Sequence, residues 1–317
     1  MHDPRLDQLE DWLETFFDDA SFTLSKASDD ASFRRYFRIE RSNLSFIAMD
    51  APPEKENSKR FVEIAELLRD NNIHAPKIID KDLQQGFLLI EDLGNTTFSQ
   101  ALSADNKLAL YKRAIDELIK IQAINTQALS FDLYDETLLQ AELNLLIDWY
   151  LPKESNQNLL DKLSQLFDQL IQNSLNSPQV LVHRDYHCRN LMITNDGISV
   201  IDFQDAVIGS NSYDLVSLLK DAYVELGSSE VQALLAYFYK QAKLGISFDK
   251  FEKQFDLMGL QRHLKILGIF KRLSIRDGKH QYLNNIPLIE KYVLQMADKY
   301  PEFNFLEDIL HSAKDCK

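Results

Sequence analysis

A strongly polar segment enclosed by short apolar runs marks the middle of the chain. The segment, His183–Asn190, reads HRDYHCRN and follows the apolar run Val180–Val182. Two further apolar runs, Leu191–Thr194 and Ile198–Asp202, come next, separated by Asn195–Gly197, which is a strong hairpin-turn signal. We therefore predict a polar loop that leaves one short strand and leads directly into a β-hairpin.

Three oxygen-bearing side chains come from this region: Asp185 from the loop, Asn190 from its end and Asp202 from the exit of the hairpin. A tight hairpin can bring the three together. Phosphoryl transfer needs such a set, because one carboxylate accepts the proton of the attacking hydroxyl while other oxygens bind magnesium on the nucleotide phosphates. The spacing matches the kinase pattern H-R-D-x-x-x-x-N followed by Asp-Phe. Such a match arises by chance at about one in 10⁵ start positions, so a solvated loop without a role is the weaker interpretation.

Regular patterns divide the chain into a mixed N-terminal part and a helical C-terminal part. β-prone runs at 33–39 and 45–49 precede a helical pattern at 58–70, and two more strands are predicted in KIID and QGFLLIEDL. Helical patterns then recur at 107–124, 136–151, 157–174, 212–226, 229–242 and 285–299. We predict an α+β fold with a small β-rich N-terminal lobe, residues 1–93, and a larger, mainly helical C-terminal lobe, residues 94–317, which carries the polar loop and the hairpin.

Charge and cysteine content restrict the partners. The chain has 35 basic and 49 acidic residues and a net charge of −14, so repulsion opposes nucleic acid and anionic membranes as partners. No apolar run is long enough to span a membrane, and the acidic, amphipathic N-terminus is unlike a secretory signal. Two cysteines suit a reducing compartment. We expect a cytoplasmic protein, and no feature indicates an obligate protein partner.

Several motifs together resemble one family. The pattern HxDxHxxN, followed by IDFxDA and preceded by EDLG, is similar to the aminoglycoside phosphotransferase and choline-kinase branch of the protein-kinase-like fold. More narrowly, ASFRRYFRI, FIAMDAPPE, LVHRDYHCRNLM and VIDFQDAVIGSNSYDLVSLLKDAY resemble bacterial anomeric sugar kinases of cell-wall recycling. The resemblance covers residues 25–225 and is weaker in the last 90 residues. It implies a bilobal kinase fold and ATP-dependent, Mg²⁺-dependent phosphorylation of the C1 hydroxyl of N-acetylmuramate and N-acetylglucosamine.

The resemblance also implies roles for individual residues. Asp185 is expected to be the catalytic base, and Asn190 and Asp202 are expected to bind magnesium. Backbone groups between Glu91 and Leu93 would hydrogen-bond the adenine of ATP. A hydroxyl on an anomeric carbon is more acidic than an ordinary alcohol, so an aspartate is a sufficient base.

Supporting roles are expected for three residues around the loop. His183 precedes the catalytic Asp, and His187 would hold the loop through hydrogen bonds rather than donate a proton, because one hydroxyl does not need two bases. Asp214 would brace the helix after the metal loop. Cys188 is interpreted as a small buried spacer rather than a nucleophile.

The strand that carries a phosphate-binding lysine in kinases departs from the pattern, because it ends in Met49 here. The preceding strand offers Arg35, which alternation places on an otherwise apolar face. A cation on such a face needs an anionic partner. We predict that Arg35 contacts the ATP phosphates, with an ion pair to Glu63 or Glu66 as the alternative.

The nucleotide loop is also unusual. Residues 27–33 read ASDDASF and contain no glycine, so the glycine-rich loop of protein kinases is absent. Small side chains can still let backbone N–H groups approach a phosphate, and we name Ser32 and Phe33 as candidate ATP contacts. The missing glycines favour a small-molecule kinase over a protein kinase.

The acceptor is less constrained than the nucleotide. A cationic acceptor such as an aminoglycoside, choline or homoserine would need acidic groups, for which Asp205 and Asp221 are available. The lactyl carboxylate of N-acetylmuramate would need a cation, for which Arg184, Arg189 and Lys220 are available. We name Arg189 and Asp205 as candidate acceptor contacts. Further candidates on the helix predicted at 136–151 are Glu142, Trp149 and Tyr150.

A catalytically inactive kinase-like scaffold is the alternative from another class. The missing lysine and the missing glycines would fit it. Against it, Asp185, Asn190 and Asp202 are all present, and loss of catalysis would be expected to affect these positions first.

Overall fold

The computed structural model describes residues 2–28, 33–128, 130–153 and 156–314. In chain order its strands are β1 (Thr23–Ser28), β2 (Arg35–Arg41), β3 (Leu44–Asp50), β4 (Ile78–Asp82), β5 (Phe87–Glu91), β6 (Gln179–Val182), β7 (Leu191–Thr194), β8 (Gly197–Val200) and β9 (Val207–Ser210). Its α-helices are α1 (Pro4–Phe17), α2 (Ser58–Asp70), α3 (Phe98–Ala101), α4 (Lys107–Gln122), α5 (Glu136–Leu145), α6 (Gln157–Leu175), α7 (Tyr213–Leu219), α8 (Ser228–Ala242), α9 (Phe248–Asp277), α10 (Ile286–Lys299) and α11 (Phe305–Lys314). Short 3₁₀ turns occur at Thr126–Ala128, His280–Asn285 and Pro301–Phe303, and a π turn at Leu146–Tyr150.

The chain divides into two compact units. The first unit contains Met1–Phe98 and Leu191–Gln204, and the second contains Ser99–Asn190 and Asp205–Lys317. The first is built on a five-stranded sheet and the second is mainly helical, so the predicted α+β class is confirmed.

The first unit is organised around an antiparallel sheet in the order β1-β2-β3-β5-β4. Strand β2 alternates, and its residues Phe37 and Ile39 form a buried core with Leu9, Leu13 and Phe17 of helix α1. Helix α1 begins after Asp3, whose side chain accepts the N–H of Leu6 at 3.2 Å as a helix cap. Helix α1 therefore covers the sheet face on which Phe37 and Ile39 lie.

The predicted hairpin is present as strands β7 and β8, with Thr194 paired to Gly197 across the turn. Each strand of the hairpin also makes a backbone hydrogen bond to the N-terminal part of the chain. The N–H of Ile193 donates to the carbonyl of Thr96 at 2.9 Å, and the N–H of Val200 donates to the carbonyl of His74 at 2.8 Å. The predicted lobes were continuous and met at residue 93. The first unit instead extends to Phe98 and includes the hairpin, because these backbone bonds join the hairpin to it.

Helix α9, with 30 residues, runs through the core of the second unit and is buried along most of its length. Gly268 of α9 makes a close helix contact, because a Cβ there would lie 2.3 Å from the carbonyl oxygen of Leu145. Strands β6 and β9 pair antiparallel beside the helices. The helix predicted at 212–226 is shorter, since α7 ends at Leu219. Within the described residues, no helix is long and apolar enough to cross a membrane.

Candidate active site

The loop at residues 183–190 leaves strand β6 in the second unit and folds into a compact turn. The backbone N–H of His187 donates to the carbonyl of Asp185 at 2.9 Å, and that of Asn190 donates to His187 at 3.0 Å. The side-chain amide of Asn190 also donates to the carbonyl of Asp185, at 3.1 Å. The carbonyl of Asp185 is thus held twice, which fixes the position of this residue through its backbone.

Asp214, in the first turn of α7, holds the start of the same loop. Its fully buried carboxylate accepts the backbone N–H of His183 at 2.7 Å and that of Arg184 at 3.0 Å. Arg184 has φ +75°, a left-handed conformation that is costly for a residue with a side chain. Burial raises the pKa of Asp214 to about 7, although the two N–H bonds act in the opposite direction. Asp214 therefore holds the start of the catalytic loop, whereas the sequence led us to expect that it would brace the helix after the metal loop.

Replacing Asp214 should therefore destabilise the second unit. We expect Asp214→Ala to lower the free energy of unfolding by about 2–4 kcal/mol, because two buried N–H groups lose their acceptors. Urea denaturation of the purified protein measures this. Asp214→Asn, which keeps one acceptor oxygen, is the matched control and should lose less. A loss below about 1 kcal/mol for the alanine variant would contradict the bracing role.

Asp185 is partly buried and lies in a positive environment. Burial alone would raise the pKa of its carboxyl group, but the charges of His187, Arg262, Lys265 and His183 act against burial and lower the pKa overall. A base whose pKa lies below its ordinary value is ionised at neutral pH, and is ready to accept a proton.

The two histidines of the loop are placed differently. Nδ1 of His183 accepts the backbone N–H of Asp185 at 3.3 Å, and the His183 ring is buried against Tyr186. Burial lowers the pKa of His187, although the charges of Asp221 and Asp185 act in the opposite direction. Its buried Nδ1 has no hydrogen-bond partner among the described residues. His183 thus contacts the backbone of Asp185 directly, whereas His187 shapes the loop through its own backbone.

Glu142 forms a buried charged cluster with Arg184 and Lys265, which the sequence did not predict. Glu142 accepts from Arg184 at 2.7 Å and pairs with Lys265 at 2.8 Å, and Tyr134 donates to it as well. Burial alone would raise the pKa of Glu142, but Lys265 and Arg184 lower it. Arg262 and Lys265, whose charges act on Asp185, both lie on α9. No helix was predicted there, so the sequence offered no reason to select either residue.

Asp202 follows strand β8 in the first unit, in a left-handed conformation with φ +64°. Its Oδ1 accepts from the side chain of Gln204 at 2.8 Å. The next residue, Phe203, is buried with its ring 4.9 Å from that of Phe61 in α2. The packing of Phe203 therefore holds the carboxylate of Asp202 at a defined point of the strand exit.

The donor atoms at Asn190 and Asp202 suit magnesium. Magnesium prefers hard oxygen ligands and commonly uses one or two protein carboxylates together with the phosphates of a nucleotide. Because the Nδ2 atom of Asn190 donates to the carbonyl of Asp185, Oδ1 is the atom that a metal would take. Within the described residues no group of three or more His, Cys, Asp and Glu side chains gathers as a metal site. Each of the two residues thus offers an oxygen of the kind that magnesium binds.

The predicted adenine segment follows strand β5. The carboxylate of Glu91 accepts the backbone N–H of Lys77 at 3.1 Å and pairs with Arg69 at 3.2 Å, so its side chain is used within the first unit. Leu93 is partly exposed. Asp92, which was not selected from the sequence, binds Arg38 through two bonds of 2.7 and 3.0 Å. The pair between Asp92 and Arg38 ties this segment to β2.

Arg35, the cation expected at the ATP phosphates, forms ion pairs within the protein instead. Arg35 pairs with Asp3 and Asp50, and the buried Asp50 also pairs with Arg5. The acidic partners thus differ from the Glu63 or Glu66 considered above. The reason is that β2 directs Arg35 to the face covered by α1, together with Phe37 and Ile39.

Phe33, Ser32 and Met49 are the other residues considered at the expected phosphate site. Phe33 is 63% exposed, and its backbone N–H donates to Glu56 at 3.2 Å. Ser32 lies outside the described residues. Met49, at the place of the usual lysine, is fully buried and carries no charge to offer a phosphate.

The contacts of Arg35 predict a structural phenotype. We expect Arg35→Ala to lower the free energy of unfolding by about 1–3 kcal/mol, because the carboxylate of Asp50 loses one of its charged partners. Thermal denaturation together with the KM for ATP separates the two roles. Lys59→Ala, which removes an exposed cation of the same unit, is the control. A raised KM for ATP with unchanged stability would instead support the phosphate role.

Some of the candidate acceptor residues already have partners within the protein, and others are exposed. Arg184 pairs with Glu142, and Lys220 pairs with Asp256 at 3.1 Å. Asp221 accepts two backbone N–H groups, at 3.0 and 2.9 Å, and is buried. Asp205 and Arg189 are exposed. Of the remaining candidates, Tyr150 donates to Glu290 at 2.7 Å, and Trp149 is partly exposed.

Comparison with known proteins identifies relatives along almost the whole chain. A protein of Pseudomonas putida named N-acetylmuramate/N-acetylglucosamine kinase is 41% identical, over 98% of this chain and 96% of its own length. A protein of Neisseria meningitidis serogroup B with the same name is 38% identical, over 93% of this chain and 92% of its own length.

Solved structures share the fold. The choline kinase LicA from Streptococcus pneumoniae matches with a TM-score of 0.67 at 13% identity, over 93% of this chain and 100% of its own. The ADP-bound aminoglycoside phosphotransferase APH(2'')-Ib matches with a TM-score of 0.63 at 18% identity, over 89% and 96%. The model of the phosphotransferase enzyme family matches residues 23–245. With a braced HRD loop, relatives about 40% identical over nearly the full length and this family match, the chain belongs to the phosphotransferase enzyme family.

Proposed function

We propose that this enzyme transfers the γ-phosphate of ATP to the anomeric C1 hydroxyl of N-acetylmuramate and N-acetylglucosamine. The relatives at 41% and 38% identity carry the names of kinases for these two sugars. The observation that carries the proposal in this chain is Asp185: its carboxyl pKa is lowered, and its backbone is fixed by three hydrogen bonds within the loop. A fixed, ionised carboxylate is what an attacking hydroxyl requires.

Each residue has a defined part in the proposed reaction. Asp185 accepts the proton of the sugar hydroxyl while that oxygen forms a bond to the γ-phosphorus and the bond from phosphorus to the ADP oxygen breaks. The products are a sugar 1-phosphate and ADP. Asn190 and Asp202 are proposed to hold Mg²⁺, which neutralises charge on the phosphates when bound. Backbone groups of Glu91–Leu93 are proposed to bind adenine.

Arg35 pairs with Asp3 and Asp50, so a second cation is considered for the phosphates of ATP. Arg34 lies beside Arg35 in sequence and pairs with Glu56 at 2.6 Å. Glu56 also accepts the backbone N–H of Phe33 at 3.2 Å, which places Arg34 beside the predicted nucleotide loop and makes it the second candidate. A cytoplasmic location is part of the proposal, because the reaction consumes ATP.

A screen of acceptors tests the proposal. Purified protein is incubated with ATP, Mg²⁺ and either amino sugars, aminoglycosides, choline or homoserine, and ADP release is followed with a coupled assay. Phosphorus NMR then identifies the phosphorylated position. We expect turnover with the two N-acetylated sugars and a phosphate at C1. Turnover only with cationic acceptors would support an aminoglycoside- or choline-type kinase, and absence of turnover with all of them would support an inactive scaffold.

A further inference from the structure

Arg189 differs from the other cations near the catalytic loop. Arg184 is paired with Glu142, and Lys220 with Asp256. Arg189 is exposed, and among the residues that the structure describes it has neither an ion-pair nor a hydrogen-bond partner. Its charge is therefore available to a ligand, whereas the charges of the other two are used inside the second unit.

The guanidinium of Arg189 is nevertheless held in place. Its Cζ lies 3.5 Å from the centre of the Tyr223 ring, which is a close stacking distance. Asp221 links Tyr223 to the residue that precedes Arg189, because its carboxylate accepts the N–H of Tyr223 at 2.9 Å and that of Cys188 at 3.0 Å. This carboxylate is buried, so the loop and the tyrosine are joined by a rigid element.

Stacking prepares a guanidinium for a carboxylate. With its flat face on an aromatic ring, the group directs its N–H bonds sideways, in the fork that matches two carboxylate oxygens. Less side-chain freedom is then lost when the ligand binds, because the ring already restricts the arginine. A long arginine without such a contact would offer only a mobile charge.

The surroundings of Arg189 suit a sugar. Tyr223 contacts Phe270 at 6.4 Å, and Phe270 contacts Tyr282 at 5.3 Å between ring centres, which gives an aromatic cluster beside the arginine. The edge of the His187 ring meets Tyr223 at 5.3 Å. Arg189 lies four residues after Asp185, in a loop that is folded back on the carbonyl of Asp185. A sugar whose hydroxyl reaches Asp185 would therefore have its other substituents near Arg189.

We propose that Arg189, stacked on Tyr223, binds the carboxylate of an acidic substituent on the acceptor sugar and so favours N-acetylmuramate over N-acetylglucosamine. The inference rests on the proposed function. It adds a specificity-determining contact that acts on the lactyl carboxylate and has no counterpart in the neutral sugar.

The test compares three acceptors in wild type and two variants. Arg189→Gln removes the charge, and Arg189→Lys keeps it but removes the fork. The acceptors are N-acetylmuramate, its lactyl carboxamide and N-acetylglucosamine, each at saturating ATP. We expect Arg189→Gln to lower the ratio of kcat/KM for N-acetylmuramate to that for N-acetylglucosamine by about 10- to 100-fold, mainly through KM, as for a charge-assisted bond. Arg189→Lys should lie between this variant and wild type.

The carboxamide removes the charge from the ligand instead of the protein. Wild type should prefer the acid to the carboxamide, and Arg189→Gln should lose this preference, since the two changes remove the same interaction. Arg276→Gln, at an exposed arginine far along α9, is the control and should keep the wild-type ratio.

The outcomes separate the two proposals. Equal losses for both sugars in Arg189→Gln, or an unchanged ratio, would overturn the role of Arg189 while the kinase activity stands. If wild type phosphorylates neither sugar, the proposed function fails and this inference fails with it. Melting temperatures of the variants show whether a loss reflects folding, and the carboxamide measured on wild type alone keeps the inference testable in that case.

Discussion

Asp185→Asn should reduce kcat by about 10²- to 10⁴-fold, because an amide of the same shape cannot accept the proton of the sugar hydroxyl. The loop should remain folded in this variant, since the hydrogen bonds that fix residue 185 use its backbone N–H and carbonyl. ADP release gives kcat, and calorimetric titration with Mg-ATP should show nucleotide binding within a few-fold of wild type.

Asp196→Asn is a matched control for this variant, because it makes the same chemical change in an exposed residue of the hairpin turn. It should retain wild-type turnover. A kcat for Asp185→Asn within tenfold of wild type would reject Asp185 as the base. A loss of turnover together with a loss of nucleotide binding would indicate a damaged loop instead.

The second large effect is expected for Asp202→Asn, which should lower kcat/KM for Mg-ATP by at least about 100-fold. Magnesium in nucleotide sites has few protein ligands, so the loss of the charged one leaves little to replace it. Asparagine is the sharper substitution, because it tolerates the φ of +64° and keeps the oxygen that accepts from Gln204. An alanine at this position would mix the loss of charge with backbone strain.

Magnesium titration at fixed ATP checks the assignment of Asp202. The variant should need a higher magnesium concentration for half-maximal activity than wild type or Asp196→Asn. An unchanged magnesium dependence would remove Asp202 from the metal site. Together with Asp185→Asn, this experiment distinguishes loss of the base, which spares nucleotide binding, from loss of a metal ligand, which does not.

Much of the fold follows from local patterns. Helix α2 spans Ser58–Asp70, the range predicted from its stripe of apolar residues, and the turn at Asn195–Gly197 correctly predicted the hairpin. Helix α9 was missed although it is the longest. Because it is buried on nearly all sides and includes Gln261, Arg262, His263 and Lys265 among its buried residues, it lacks the one-sided apolar stripe by which a surface helix is recognised. The pairing of β6 with β9 joins segments more than 20 residues apart, and no local signal encodes such a pairing.

The sequence by itself determined the class of chemistry, because Asp185, Asn190 and Asp202 lie within one short segment and their spacing is read directly along it. It also determined most of the helices, since their period is read along one segment. Only the tertiary structure decided how each charge is used. Arg35 was selected for a phosphate and is bound by Asp3 and Asp50. Arg189 was named as an acceptor contact from three cations in the sequence, and it is the one without an acidic partner among the described residues. Whether a charged side chain is available to a ligand depends on neighbours that the fold brings from distant parts of the sequence, and pairing energies in a buried environment decide which charges remain.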